Sequence, residues 1–203
     1  MIKRSSDDTI FLIGMIVSMT CWGFSWTAGK ILSYYGDPIT ISFYRFALTF
    51  FSLVFIVPLL KEKMTINRSG VVDLLIASAL ISVYTFLFFK GVSVGQAGAG
   101  GVLVTVLNPI ITYAITLVLA RRRPTRNESI GLLLGFAAGV VLLRLISKAD
   151  EIFEAGNIYF LLAALSWSVL SRFTSRASRY GSSVSFSFLM YGISTCMMFP
   201  FAG

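Results

Sequence analysis

Arg45 lies six residues into the apolar run Ile39–Leu60, where a cation facing lipid costs about 2.5 kcal/mol or more. Such an arginine has two uses. It is an interior cation that holds an anionic substrate group or pins helices through backbone carbonyls, or it snorkels to the headgroups at the nearer membrane face. Trp22 and Trp167 sit mid-segment rather than in the interfacial belts where tryptophan usually anchors. A rigid ring with one N–H donor suits the wall of a cavity for organic molecules, and ordinary helix packing uses it equally well. Tyr84, Asn108 and Tyr113 add polar tips in the third and fourth apolar runs. Pro109, directly after Asn108, frees the carbonyl of Thr105 and marks a kink, a binding point or a hinge. The chemistry open to Trp22, Arg45, Tyr84, Asn108, Tyr113 and Trp167 is recognition and release of a small organic molecule. No catalytic residue is expected among them.

Bond-making chemistry is excluded by what is missing. The chain has no histidine, so Ser-His and Cys-His pairs and imidazole-ligated metals are impossible. Gly23-Phe24-Ser25 imitates part of a serine-protease motif, with no base to activate it. Cys21 and Cys196 lie in apolar runs and are expected to be small buried side chains, neither a disulfide framework nor a metal cluster. No metal or cofactor is expected. Nor does any Asp or Glu lie deep in an apolar run. Asp73, three residues into the third, is expected to be solvated at the membrane rim.

The elements that must position these residues follow from composition. Of 203 residues 56% are hydrophobic and 13% charged, with mean hydropathy +0.83. Soluble domains carry roughly a quarter charged residues, so this chain cannot cover its own surface in water. Seven apolar windows result: Ile10–Ala28, Ile39–Leu60, Val71–Phe89, Ala97–Ala120, Ile130–Ile146, Gly156–Ser171 and Val184–Gly203. Most approach the length a helix needs to cross a bilayer, and none shows the alternation of a barrel strand. The expectation is an all-α, polytopic membrane protein of seven helices. The fifth window spans only if Arg144 snorkels. The first is no cleaved signal, since its flank mixes charges and no small-residue site follows.

Lys and Arg set the orientation. With the amino terminus in the cytoplasm, the inner side holds Lys3, Arg4, Lys61, Lys63, Arg68, Arg121, Arg122, Arg123, Arg126, Arg172, Arg176 and Arg179. The outer side holds only Lys30, Lys90, Arg144 and Lys148, beside the acids Asp150, Glu151 and Glu154. The amino terminus is therefore expected inside. The net charge of +8 is explained by topology and anionic headgroups, with the lipid bilayer and not nucleic acid as partner.

A shift of 145 residues overlays Trp22 on Trp167, Tyr35-Gly36 on Tyr180-Gly181 and Ser42-Phe43 on Ser187-Phe188. Five segments precede the second copy, so it enters the membrane from the opposite side. The charges follow: Lys30 falls in the outer connection of the first copy, and Arg172, Arg176 and Arg179 in the inner connection of the second. Inverted repeats of this kind recur in secondary transporters. Gly131, Gly135 and Gly139 place small residues along one face of the fifth segment, a close helix-packing surface.

Cys21-Trp22-Gly23 followed by Lys30, then Gly36-Asp37-Pro38 and Tyr44-Arg45-Phe46, resembles the first two helices of the EamA type of the drug/metabolite transporter superfamily. Asn108-Pro109, the fifth-segment glycines and Ala163-Ala164-Leu165-Ser166-Trp167 resemble its fourth, fifth and sixth helices. The resemblance implies a first five-helix repeat over 10–146 and a partial second repeat over 156–203. It also implies an inner-membrane exporter of amino acids, related metabolites or drugs that works by alternating access. Arg45 in that pattern has a structural or gating role, and the glycine face supports contact between repeats or a homodimer. Two features depart from the pattern. Arg121-Arg122-Arg123 stands where the family often has a glutamate, and the chain stops in its seventh helix where the family has ten. A C-terminally truncated form, functional only in assembly or not at all, is therefore one expectation. The lack of a buried carboxylate favours facilitated or otherwise coupled export over proton exchange. A seven-helix receptor or sensor is the alternative. That reading leaves the repeat without a role, and the last helix lacks the lysine a retinal protein needs.

Overall fold

The computed structural model describes residues 6–60, 65–142 and 155–203. Its main elements are α1 (Ser6–Leu32), α2 (Pro38–Leu59), α3 (Val71–Val94), α4 (Ala97–Ala120), α5 (Arg126–Leu142), α6 (Ala155–Thr174), the one-turn α7 (Ala177–Tyr180) and α8 (Ser183–Met198). Six helical stretches among the described residues are long and apolar enough to cross a membrane, and α5 adds 17 described residues. Arg144 and the acids after it lie outside the described residues, as do the amino-terminal and 61–63 cations used in the orientation argument. Among the described residues the only β pairing is one isolated antiparallel bridge, Ile66 with Gly181.

Local chemistry fixes the helix ends. Asp37 Oδ1 accepts from the amides of Ile39 (2.9 Å) and Thr40 (3.1 Å) ahead of Pro38, an N-cap followed by a proline that loses no hydrogen bond there. Thr40 and these amides hold the Asp37 carboxyl below the usual carboxylate range. Ser182 caps α8 in the same way, accepting from Val184 at 3.2 Å. The two caps stand 145 residues apart, the offset of the sequence overlay. Within the apolar helices, hydroxyls return to their own backbone: Ser42 to Pro38, Ser78 to Leu74 and Ser82 to Ser78, at 2.6–2.8 Å. That satisfies the hydroxyl without water.

The helices alternate in direction between two ends of the bundle. At one end Lys30, in the last turn of α1, meets the end of α3, and Gly95 meets Gly156 at the start of α6. At the other end Asp73, in the first turn of α3, meets Tyr180. We call these the Lys30 end and the Asp73 end. α1 runs toward the Lys30 end and α6 away from it; α2 and α8 are opposed in the same way, and they pack on each other.

α3 is the hub, packing on α6, α8, α2 and α1. Its most apolar stretch is 44% buried, against 6% for α1. The core therefore forms around α3, and the remaining apolar surface faces outward, as a bilayer requires. α6 reaches α3 and α4 through a slot of glycines: a Cβ at Gly91 or Gly100 would come within 2.5 or 2.4 Å of the Phe160 ring. Only glycine admits that ring. The expectation of buried thiols is overturned, since Cys21 and Cys196 are both exposed. In a membrane span the outside is as apolar as the inside, so a small thiol gains nothing by turning in.

Candidate functional site

Arg45 lies seven residues beyond Pro38, about 10 Å along α2 from the Lys30 end at 1.5 Å per residue. Its guanidinium faces α3, with Cζ 5.6 Å from the Phe88 ring centre and 5.9 Å from that of Phe89. Cation–π contact of this kind offsets part of the cost of a charge in an apolar medium. Among the described residues no carboxylate pairs with Arg45; the ion pairs found there are Arg122–Glu128 and Arg176–Asp73. The side chain lines a cavity of about 580 Å³ between α1, α2 and α3, with Ser25, Gly29, Tyr44, Thr49, Phe88 and Phe89 among its walls. α1 packs on α3 and α4 rather than along α2, which leaves this space open. Leu48, 68% exposed, stands at its rim.

Lys30 behaves differently although it is nearby. Its Nζ donates to the carbonyls of Val92 (2.7 Å), Gly95 (3.0 Å) and Ser93 (3.4 Å). These belong to the last turn of α3, whose orphan carbonyls carry the negative end of the helix dipole. Lys30 is spent on fastening α1 to α3.

The Asp73 end is tied together by hydrogen bonds. The Tyr180 hydroxyl donates to Asp73 Oδ2 at 2.7 Å, and Arg176 Nη1 stands 3.9 Å from the same oxygen. The Asn67 amide donates to the Tyr180 carbonyl at 2.8 Å beside the Ile66–Gly181 bridge. Gly181 has φ +153°, and a Cβ there would come 2.3 Å from the Thr65 carbonyl oxygen. Gly70 lies flat under the Tyr180 ring, with room for no side chain. The connection after α6 is thereby bound to the one before α3. Asp73, expected to be solvated, keeps a side chain only 15% exposed, because a partner 107 residues away covers it.

The six residues singled out from sequence do not converge on one cavity. Tyr84, 3% exposed, packs its ring 4.7 Å from that of Trp167 inside the bundle. Trp22 stands edge-on to Trp26, centroids 6.2 Å apart. Trp26 is the deeper ring, packed on Phe88 at 4.8 Å and Phe160 at 5.8 Å. Asn108 faces α6; its Oδ1 is buried without a partner, while its backbone carbonyl accepts from Ser168 at 3.3 Å. α4 continues as one helix through Pro109. Tyr113 receives a hydrogen bond from Arg122 (3.1 Å), and Arg122 forms a two-point pair with Glu128 at 2.9 Å on both sides. Glu128 raises the Arg122 guanidinium further above its usual range. Pro109, Tyr113, Gly131 and Gly135 line a separate groove of about 520 Å³ between α4 and α5. Of the three glycines of α5, Gly139 meets Val106, whereas Gly131 and Gly135 have nothing within 4 Å.

Sequence reasoning passed over Trp26, Phe88 and Phe89, and the Asp73–Tyr180 contact. Trp26 follows Trp22 by one helical turn, a signal that was legible. Phe88-Phe89 sits in a run where lipid-facing and core-facing aromatics look alike. No group of His, Cys, Asp or Glu able to hold a metal occurs among the described residues.

An alternating bundle of long apolar helices, with opposed helix pairs and a cation held in a side cavity, defines a polytopic helical membrane protein. A family model, the EamA-like transporter family, matches residues 9–144. The chain belongs to that family. It is also 24% identical over 165 residues to the uncharacterized transporter YoaV of Bacillus subtilis (strain 168). That match covers 80% of this chain and 56% of the relative, so the chain spans about half the length of the curated relative it matches. No solved structure matches significantly.

Proposed function

We propose that the chain is the substrate-holding part of a secondary transporter that moves small organic metabolites across the inner membrane by alternating access between inverted repeats. The first repeat covers 10–146 and the second begins at 156. Support comes from the opposed directions of α1 and α6, the 145-residue spacing of the Asp37 and Ser182 caps, and the packing of α2 on α8, the pair that the overlay makes equivalent. A cytoplasmic amino terminus fits the positive-inside distribution of Lys and Arg.

The observation that carries the reading is the contrast between a cavity holding Arg45 at the Lys30 end and a knitted Asp73 end. A site lying toward one end of the bundle, with the other end bound together by hydrogen bonds, fits one of the two states alternating access requires. In this reading Tyr84, Trp167 and Trp22 stiffen the inner wall, Asn108 Oδ1 is a polar point where α4 packs on α6, and Pro109 gives α4 its point of bending. A second copy of the chain is a fitting partner, since α5 packs on α4 and presents Leu133, Leu134 and Phe136 outward.

The test is transport in proteoliposomes. Arg45→Ala is expected to lower transport at least about tenfold, a 1.4 kcal/mol effect, while membrane expression stays near wild type. Equal losses in transport and expression would reduce Arg45 to a folding residue.

A further inference from the structure

Among the described residues lining its cavity Arg45 is the only charged side chain, and none of them answers its charge. Phe88 and Phe89 meet the guanidinium with ring faces, which supply no acceptor oxygen, so its fork of N–H donors remains available to a ligand. Two of the three hydroxyls in the lining have their protons already used, Ser25 donating to the Trp22 carbonyl at 2.6 Å and Thr49 to that of Arg45 at 2.8 Å, which leaves that of Tyr44. The other walls, including Ala28, Leu32, Ile41 and Leu48, are apolar.

From this juxtaposition we infer that the cavity takes an organic monoanion, one carboxylate on a compact apolar body, in preference to an amino acid or an organic cation. The inference rests on the transport reading above and narrows its substrate class. A carboxylate meets the guanidinium in two parallel N–H···O bonds, which are strong where water is scarce. The apolar body then lies against Phe88, Phe89 and the aliphatic walls. An ammonium group fares badly here: it would share the cavity with a like charge, and no carboxylate among the described lining residues offsets its desolvation. A zwitterion carries that penalty with its carboxylate. The lining therefore discriminates by charge as well as by size, partly by repulsion.

Three ligands with one phenyl body isolate the charge: 3-phenylpropionate, phenylalanine and phenethylamine. Binding of each radiolabelled compound is measured on the full chain in phosphatidylcholine nanodiscs, with uptake followed in parallel in proteoliposomes. The expected result is 3-phenylpropionate bound at least about tenfold more tightly than phenylalanine, a difference of about 1.4 kcal/mol, with phenethylamine not competing. Arg45→Gln, monodisperse and with an unchanged melting curve, loses at least that tenfold; Arg45→Lys keeps part of it. Leu48→Trp, which fills the rim without touching the charge, weakens the same ligand.

Phenylalanine or phenethylamine binding as tightly as 3-phenylpropionate, with either one taken up, overturns the substrate class and leaves transport standing. No binding and no uptake of any of the three overturns both. Undiminished 3-phenylpropionate binding by a folded Arg45→Gln variant removes Arg45 from the site. Competitive displacement of 3-phenylpropionate by phosphatidylglycerol in the nanodisc would make the cavity's anion a lipid phosphate and overturn the substrate assignment.

Discussion

The two ends of the bundle carry their charges in opposite ways. At the Asp73 end the carboxylate is covered by the Tyr180 hydroxyl and faced by Arg176, and backbone hydrogen bonds tie the surrounding connections together. At the Lys30 end Lys30 is consumed by three carbonyls of α3, while Arg45 lies in a cavity with two phenyl rings beneath it and, among the described residues, no anion beside it. Desolvating an uncompensated charge is costly, so a fold keeps one where a ligand completes it or where the charge can reach headgroups. The orientation of Arg45 over α3 favours the first use. A hydrogen-bonded, charge-paired end opposite a cavity that holds an unpaired arginine is the asymmetry on which the transport proposal rests.

The largest effect on this contrast is expected from Gly181→Val. The residue would need to hold φ +153° with its Cβ against the Thr65 carbonyl, so the Ile66–Gly181 bridge must give way. Overpacking and backbone strain together predict a loss of about 2–4 kcal/mol in stability. Thermal unfolding in detergent checks this, and a melting temperature equal to wild type would show that the closed end is not knit as described.

Lys30→Met comes next. It leaves the carbonyls of Val92, Ser93 and Gly95 without their shared donor, at a cost of about 1–3 kcal/mol. The same unfolding measurement applies, and the loss should be little affected by salt because the contact is partly buried. Tyr180→Phe removes one hydrogen bond to a partly exposed carboxylate and should cost about 1 kcal/mol. Arg176→Gln is the smallest: a third-exposed guanidinium at 3.9 Å from its partner contributes less than about 0.5 kcal/mol. If Arg176→Gln cost more than Tyr180→Phe, the ion pair rather than the hydroxyl would hold this end closed.

How much of this was legible in the sequence differs by level. The apolar windows, the Asp37-Pro38 start of α2 and the reversal of direction between Trp22 and Trp167 follow from hydropathy, capping and parity. Which face of each helix meets another does not. Val83 is 47% exposed and its neighbour Tyr84 3%, in a stretch apolar throughout. Water imposes no amphipathic pattern on a membrane helix, so the inward face leaves little trace in hydropathy. The same ambiguity explains Cys21 and Cys196, expected inside and found outside, and the glycines. Gly91 and Gly100 are indispensable because Phe160 passes through them, whereas Gly131 and Gly135 front an open groove. Asp73 was expected to be solvated for another reason, since its partner Tyr180 is close only through the tertiary fold. Arg45 was legible as a charge within an apolar run; the rings under its guanidinium were not.

The contrast between the two ends is tested most directly by thiol accessibility. In a chain with Cys21 and Cys196 replaced by serine, single cysteines are placed at Thr49, on the cavity wall, and at Ala77, one turn inside Asp73 and fully buried. Each is then exposed to the membrane-impermeant anion MTSES (2-sulfonatoethyl methanethiosulfonate) in sealed vesicles of either orientation. The account predicts that Thr49→Cys reacts from one side only, and more slowly when 3-phenylpropionate is present, while Ala77→Cys stays unreactive from both sides. Fast labelling of Ala77→Cys, or an inert Thr49→Cys, would contradict it.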